Sequence, residues 1–141
     1  MQRQYRCSTE PADLGPDPAV IDIARKTARN QCFRKAIWTG AHLQVTLMTI
    51  PVGGDVGVEL HTDTDQFLRI EQGCALVRFG RTREEMHSVG RAFSGDAILV
   101  PAGTWHNVVN CGRTPLRLYS VYAPPHHPHG TVHATKDDAE H

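Results

Sequence analysis

The sequence carries no net charge: 15 Lys and Arg balance 15 Asp and Glu over 141 residues when the nine His are neutral. Without a basic excess there is no footprint for nucleic acid. No apolar run approaches the ~18 residues that a membrane-spanning helix needs. The first residues, Met1 to Asp17, are polar with no apolar stretch, so neither a membrane span nor a signal peptide is expected. No two of the four cysteines, Cys7, Cys32, Cys74 and Cys111, form a C-x-x-C pair. A disulfide framework is therefore not expected in a chain long enough to bury a core of its own. There is no internal repeat with a period of roughly 20–50 residues and no second core. These absences leave one domain, cytoplasmic by default.

Helical periodicity is confined to one stretch. Asp17-Pro18 has the form of a helix start, and Val20, Ile21, Ala24 and Ala28 fall on one stripe, which predicts a short helix from Pro18 to about Arg29. From Cys32 onward the period becomes two. Strands are expected at Phe33–Trp38, Leu43–Ile50, Val58–His61, Phe67–Glu71, Cys74–Phe79, Val89–Phe93, Ala97–Val100, Trp105–Val109 and Leu116–Tyr122, separated by Gly and Pro turns. Many short strands at such spacing point to an all-β sandwich or barrel. The chain divides into a lead-in with the helix (1–31), a β-barrel (32–125) and a His-rich tail (126–141).

Two clusters carry chemistry. Glu59 and His61 are two apart and share a strand face. Gln66 opens the next strand, and His106 opens another, just after a Pro-x-Gly turn. Two His, one Glu and one Gln converging inside a barrel suit a divalent ion. Two His with one carboxylate is the composition of open-sited non-haem iron, and Zn, Mn, Ni or Cu can also use it. No Cys shares that face, which disfavours a finger-type zinc. Arg69 and Trp105 have parity opposite to their neighbouring ligands, and of Tyr119 and Tyr122 at most one faces inward. Cys74 and Cys111 read as small buried thiols with no activating partner. His126, His127 and His129, spaced by prolines, read as a tail wrapping the barrel surface or its mouth.

The spacing of these residues resembles the cupin superfamily. The first cupin motif runs Gly, five residues, His-x-His, three or four residues, Glu, six residues, Gly. This chain has Gly53, five residues, Glu59-x-His61, four residues, Gln66, six residues, Gly73. The second motif, Gly, five residues, Pro-x-Gly, two residues, His, three residues, Asn, is matched without departure by Gly95, Pro101, Gly103, His106 and Asn110. The resemblance implies a double-stranded β-helix, or jelly-roll barrel, with Glu59, His61, Gln66 and His106 at the ligand positions. It also implies a homodimer, as small cupins commonly pair. Glu replaces the usual first His and Gln the usual Glu, so oxalate-processing and dioxygenase activities do not carry over. The set resembles that of mannose-6-phosphate isomerases. The expected function is a metal-dependent, isomerase-like enzyme acting on a small polar metabolite such as a sugar or sugar phosphate, with Asp63 as candidate acid/base. The alternatives are a metal-assisted binding or sensing module, or an iron-dependent dioxygenase.

Overall fold

A computed structural model describes residues 6–139; Met1 to Tyr5 of the lead-in and Glu140 and His141 of the tail lie outside the described residues. The elements in chain order are α1 (Ile23–Arg29), β1 (Arg34–Thr39), β2 (Gln44–Ile50), β3 (Asp65–Gln72), β4 (Cys74–Gly80), β5 (His87–Phe93), β6 (Ala97–Val100), β7 (Trp105–Asn110), β8 (Leu116–Ala123), β9 (Val132–His133) and α2 (Lys136–Ala139). They form two antiparallel sheets, of order β6-β3-β8-β2-β1-β9 and β5-β4-β7. This is the expected all-β jelly roll.

Register grades the interior from apolar to polar. On β8 the inward residues are Leu116, Leu118, Ser120 and Tyr122, opposite Ile50, Met48, Thr46 and Gln44 of β2. On its other side β8 pairs Leu118 with Ile70, Ser120 with Leu68 and Tyr122 with Gln66 of β3. One end is therefore filled by aliphatic side chains, all buried. The other end is lined by Gln44, Gln66, Thr46, Ser120 and Tyr122, also buried. Period-two alternation fixes this gradient, because a slip of one residue would send each row to the opposite face. Tyr122 is the inward tyrosine, while Tyr119 packs outside against Phe67, with ring centroids 6.4 Å apart.

Two glycines serve the barrel directly. Gly73, between β3 and β4, has φ 103°. A Cβ there would also meet the Leu116 backbone at 3.2 Å. Gly103, φ 84°, turns the chain into β7. Both backbones occupy the left-handed region that glycine enters without steric cost.

Four expectations are corrected. The helix starts at Ile23, not Pro18: the Asp22 carboxylate accepts from Arg25 N at 3.2 Å as the N-cap. The Asp17 carbonyl instead accepts from Trp38 Nε1 at 2.7 Å, which holds that stretch against β1. Val58–His61 is not a strand; one isolated bridge, Glu59 to His106, takes its place. The tail wraps the barrel, as expected, but part of it also joins the sheet: β9 pairs with β1, Arg34 opposite His133. The Asp13 carboxylate accepts from Gly15 N and Gly130 N, each at 3.0 Å, and so ties lead-in to tail.

The cysteines are the fourth correction. Cys7 and Cys32 form a disulfide across 25 residues. The aperiodic lead-in returns over β1, where Lys35 Nζ donates to Ser8 O at 3.0 Å, and this brings the two together. Cys74 and Cys111 are not buried lone thiols: they are half-buried and exposed, with Sγ atoms 2.9 Å apart. Cys111 N donates to Cys74 O, which holds the pair side by side. Closing a loop of this length restricts the unfolded chain, so Cys7→Ser is expected to lower stability by about 3 kcal/mol. Urea unfolding of variant and wild type, each without reductant, measures the difference.

Candidate metal centre

Backbone pairing sets the ligand positions before any side chain is considered. Glu59 N donates to His106 O at 2.9 Å and His106 N to Glu59 O at 3.0 Å. Gly103 N donates to His61 O at 2.8 Å. The Pro-x-Gly turn of one motif is thus bonded to the His of the other. Asn110, the last residue of the second motif, supports this from below. Its Nδ2 donates to Ile50 O at 3.1 Å and Thr114 O at 3.0 Å, and its Oδ1 accepts from Gly112 N.

Among the described residues, Glu59, His61 and His106 form a group whose ligand atoms lie within 4.8 Å of one another. Glu59 Oε2 is 2.9 Å from His61 Nε2 and 4.0 Å from His106 Nε2. None of these three atoms has a hydrogen-bond partner, although all are buried. The 2.9 Å approach is close but off the hydrogen-bond direction. Donors held about 2.0–2.2 Å from one ion lie ~3 Å apart, so such spacing without hydrogen bonding suits a shared cation. Buried polar atoms rarely stay unpaired.

The protonation states agree. His106 Nδ1 faces Thr104 O at 2.9 Å and donates to it, which leaves the Nε2 lone pair aimed into the barrel. Burial pushes the His106 pKa below its ordinary value, favouring the neutral, ligating form. For Glu59, burial works to raise the pKa. The approach of His61 and the charge of Arg34 outweigh it and hold the carboxyl at about 2. The site so offers one anion at Glu59 and one neutral imidazole at His106, with His61 Nε2 beside them.

Gln66, buried on β3, donates from Nε2 to Ser120 Oγ at 2.8 Å, and its Oε1 is buried without a partner. An amide fixed in this way presents oxygen, the atom that ligates a hard or borderline cation. Asp63 is exposed in the turn between His61 and β3, not on a strand with Glu59. Arg69 faces outward and pairs with Glu71. Trp105 is half-buried beside the inward His106.

Three site residues escaped sequence reasoning. Arg34, 2 % exposed, lies 3.3 Å through Nη2 from Glu59 Oε1 and 3.3 Å through Nη1 from His133 Nδ1. Its parity with Ala36, opposite to Lys35, was the available signal. His126 sits over the site with its ring centroid 4.1 Å from that of His61. Gln44 holds it there: Gln44 Oε1 accepts from His126 N and His127 N, and Nε2 donates to His127 O at 2.8 Å. The tail therefore crosses the polar end of the barrel. The exposed side of the site is marked by Glu59, 23 % exposed, and by His126.

His127 packs edge-on against Tyr122, with centroids 5.2 Å apart. Burial first, then Arg34 and His126, press its pKa down to about 3. The depressed value means that the unfolded chain takes up the proton first as pH falls. The stability contribution is full above the unfolded His value near 6.5 and is lost as pH falls toward about 3. His127→Gln is expected to flatten the fall in stability between about pH 7 and 5 by ~2 kcal/mol. Melting temperatures across that range, with and without the substitution, check it.

A model of the cupin domain matches residues 46–122. The Bacillus subtilis (strain 168) protein YrkC is 55% identical over 127 residues, covering 90% of this chain and 68% of YrkC. The crystal structure of BH2720 from Bacillus halodurans is 56% identical, with a TM-score of 0.90, over 92% of this chain and 98% of that one. A sugar phosphate isomerase of the cupin superfamily from Silicibacter pomeroyi is 20% identical at a TM-score of 0.50, over 61% and 53% of the two chains, a likeness of fold alone. Among the described residues, no helix is long and apolar enough to cross a membrane. With both motifs on one barrel and more than half of the chain matched, this protein belongs to the cupin family.

Proposed function

We propose that the protein is a metal-dependent enzyme acting on a small polar metabolite, with isomerase-like chemistry on a sugar or sugar phosphate. The observation that carries this reading is the set of buried, unpartnered donors: Glu59 Oε2, His61 Nε2, His106 Nε2 and Gln66 Oε1. Glu59, His61 and His106 would hold a divalent ion, with Gln66 Oε1 as the fourth donor. Zinc, manganese or iron suit these nitrogens and oxygens, and nickel or copper can use them. A bound ion there supplies a Lewis acid that polarises a carbonyl or hydroxyl.

The chain's own residues do the rest. Arg34 holds Glu59 Oε1 and leaves Oε2 for the ion. Ser120 keeps the amide oxygen of Gln66 forward. Thr104 fixes the imidazole tautomer of His106. Asp63, at the exposed turn, is the candidate that moves a proton on the bound metabolite. Asp63→Asn is expected to retain metal and to lose turnover on a sugar phosphate or uronate. A metal-loaded wild type that binds such a compound tightly but never turns it over would establish a binding module instead. Iron in the purified protein with oxygen uptake would establish a dioxygenase.

A homodimer goes with this reading. The edge strand β6 carries Leu99, 67% exposed, and beside it lies an apolar groove lined by Phe67, Val121 and Ala123. A second copy covering this edge would satisfy a strand that otherwise invites uncontrolled pairing. Leu99→Glu is expected to shift sedimentation from dimer to monomer at micromolar concentration.

A further inference from the structure

The balanced net charge conceals a local imbalance on the outer face of the larger sheet. α1 lies across that sheet, and the lead-in, held by the Cys7–Cys32 disulfide, runs beside it. Between them is a cavity of about 410 Å³, within the size range of small-molecule sites. Arg6, Arg25, Lys26, Arg29 and Lys35 line it, five of the chain's 15 Lys and Arg. Among the described residues that line it, Asp22 is the one acidic residue, and its carboxylate is engaged as the α1 cap. The floor is apolar: Ile37 and Leu47, both buried, face it from β1 and β2.

Like charges gathered around a concave, partly apolar surface cost the free protein electrostatic energy and concentrate anions there. The repulsion is visible at Lys35. Burial, then the neighbouring Lys26, lower its pKa, and Glu10 opposes them. Lys35 Nζ is held at the rim by Ser8 O, 3.0 Å away. The cavity and the metal centre lie on opposite faces of one sheet. The cavity is walled by the outward residues Lys35, Ile37 and Leu47, whereas the centre is built from inward ones.

We propose that this cavity is a second binding site, for a small organic anion with one phosphate-like or carboxylate-like head and an apolar body. The head would sit among Lys26, Arg29 and Lys35, and the body would cover Ile37 and Leu47. No step at the metal centre is required of the ligand.

The test uses the whole chain and a fluorescent aryl sulfonate, 8-anilinonaphthalene-1-sulfonate, as probe. One probe per chain is expected, displaced by phenyl phosphate and not by neutral benzyl alcohol. The double substitution Lys26→Glu with Arg29→Glu is expected to weaken binding about tenfold or more. Both residues are exposed on α1, and far-UV circular dichroism confirms the fold. Lys35→Met provides a second variant with the same expected direction. His106→Ala is expected to leave probe binding unchanged, which separates this site from the metal centre. Unchanged binding in both variants overturns the proposal, as does competition by benzyl alcohol equal to that by phenyl phosphate. Binding only to phosphatidylglycerol vesicles would make the face a lipid contact and also overturn it. So would monomerisation of the double variant with no probe binding in the wild type, since a second copy would then be the occupant.

Discussion

Replacing His106 by alanine is expected to lower the affinity for a divalent ion by more than about 100-fold. Loss of an outer-sphere partner alone costs 10–100-fold in other metal sites, and here a donor itself is removed. His106 is 1 % exposed; its Nδ1 donates to Thr104 O, and its Nε2 points into the barrel without a partner. No neighbouring side chain can replace it from β7, because the next inward residues are Val108 and Asn110, and Asn110 is bonded to two carbonyls. Metal per chain after dialysis and zinc titration against a chelator measure the effect. Gln66→Ala is expected to lose less, about tenfold, since a neutral amide is the weakest of the four donors. A second readout is thermal. Metal at about 1,000 times its Kd stabilises the folded chain by ~4 kcal/mol, and that increment is expected to vanish in His106→Ala. Full metal occupancy in the variant would refute the ligand assignment.

The second large effect is expected at Arg34. This residue is buried, its guanidinium facing Glu59 and His133, and it lies 5.4 Å over the Phe33 ring. Arg34→Met keeps most of the side-chain volume and removes the charge. Removing one partner of a buried pair leaves the other uncompensated, which costs about 3–5 kcal/mol. Urea unfolding of the metal-free protein is expected to show a loss of ~4 kcal/mol. Adding a divalent ion should recover part of it, because the ion also compensates Glu59. The double variant Arg34→Met with Glu59→Gln is expected to be more stable than Arg34→Met alone. Equal losses with and without metal would show that Arg34 acts by packing and not through Glu59.

The clustering of Glu59, His61 and His106 was legible because spacing, not propensity, encodes it. Glu59, His61, Gln66 and His106 stand where two turns and two hydrogen-bonded segments must bring them, and the intervening glycines with positive φ mark those turns. Strand positions were legible wherever one face is buried, as in β3 and β8, whose burial alternates residue by residue. Elements held by single long-range bonds were not. Val58–His61 looks like a strand by composition, yet it meets β7 at one bridge. β9 has two residues, too few to show a period, and takes its place from β1. The disulfide was hidden because Cys7 lies in a segment without pattern. Arg34 was hidden because a lone charged residue on a strand is ordinarily a surface residue. Gln44 read as one more alternating position, although its side chain holds the His126-His127 segment at the barrel mouth.

That arrangement has a consequence in time. Every residue of the proposed ion site, from Glu59 to His106, is synthesised before the segment that crosses the barrel mouth. Chains grow at about 5–20 residues per second, so His133 follows His106 by roughly one to five seconds. β8, which completes the larger sheet between β2 and β3, is made within that same interval, so the barrel closes only shortly before the strap is laid over it. On the proposed reading, an ion arriving before the strap would meet an open site, whereas one leaving the finished protein would pass the segment that Gln44 anchors. Loading and release would thereby be made unequal by the order in which the chain is written.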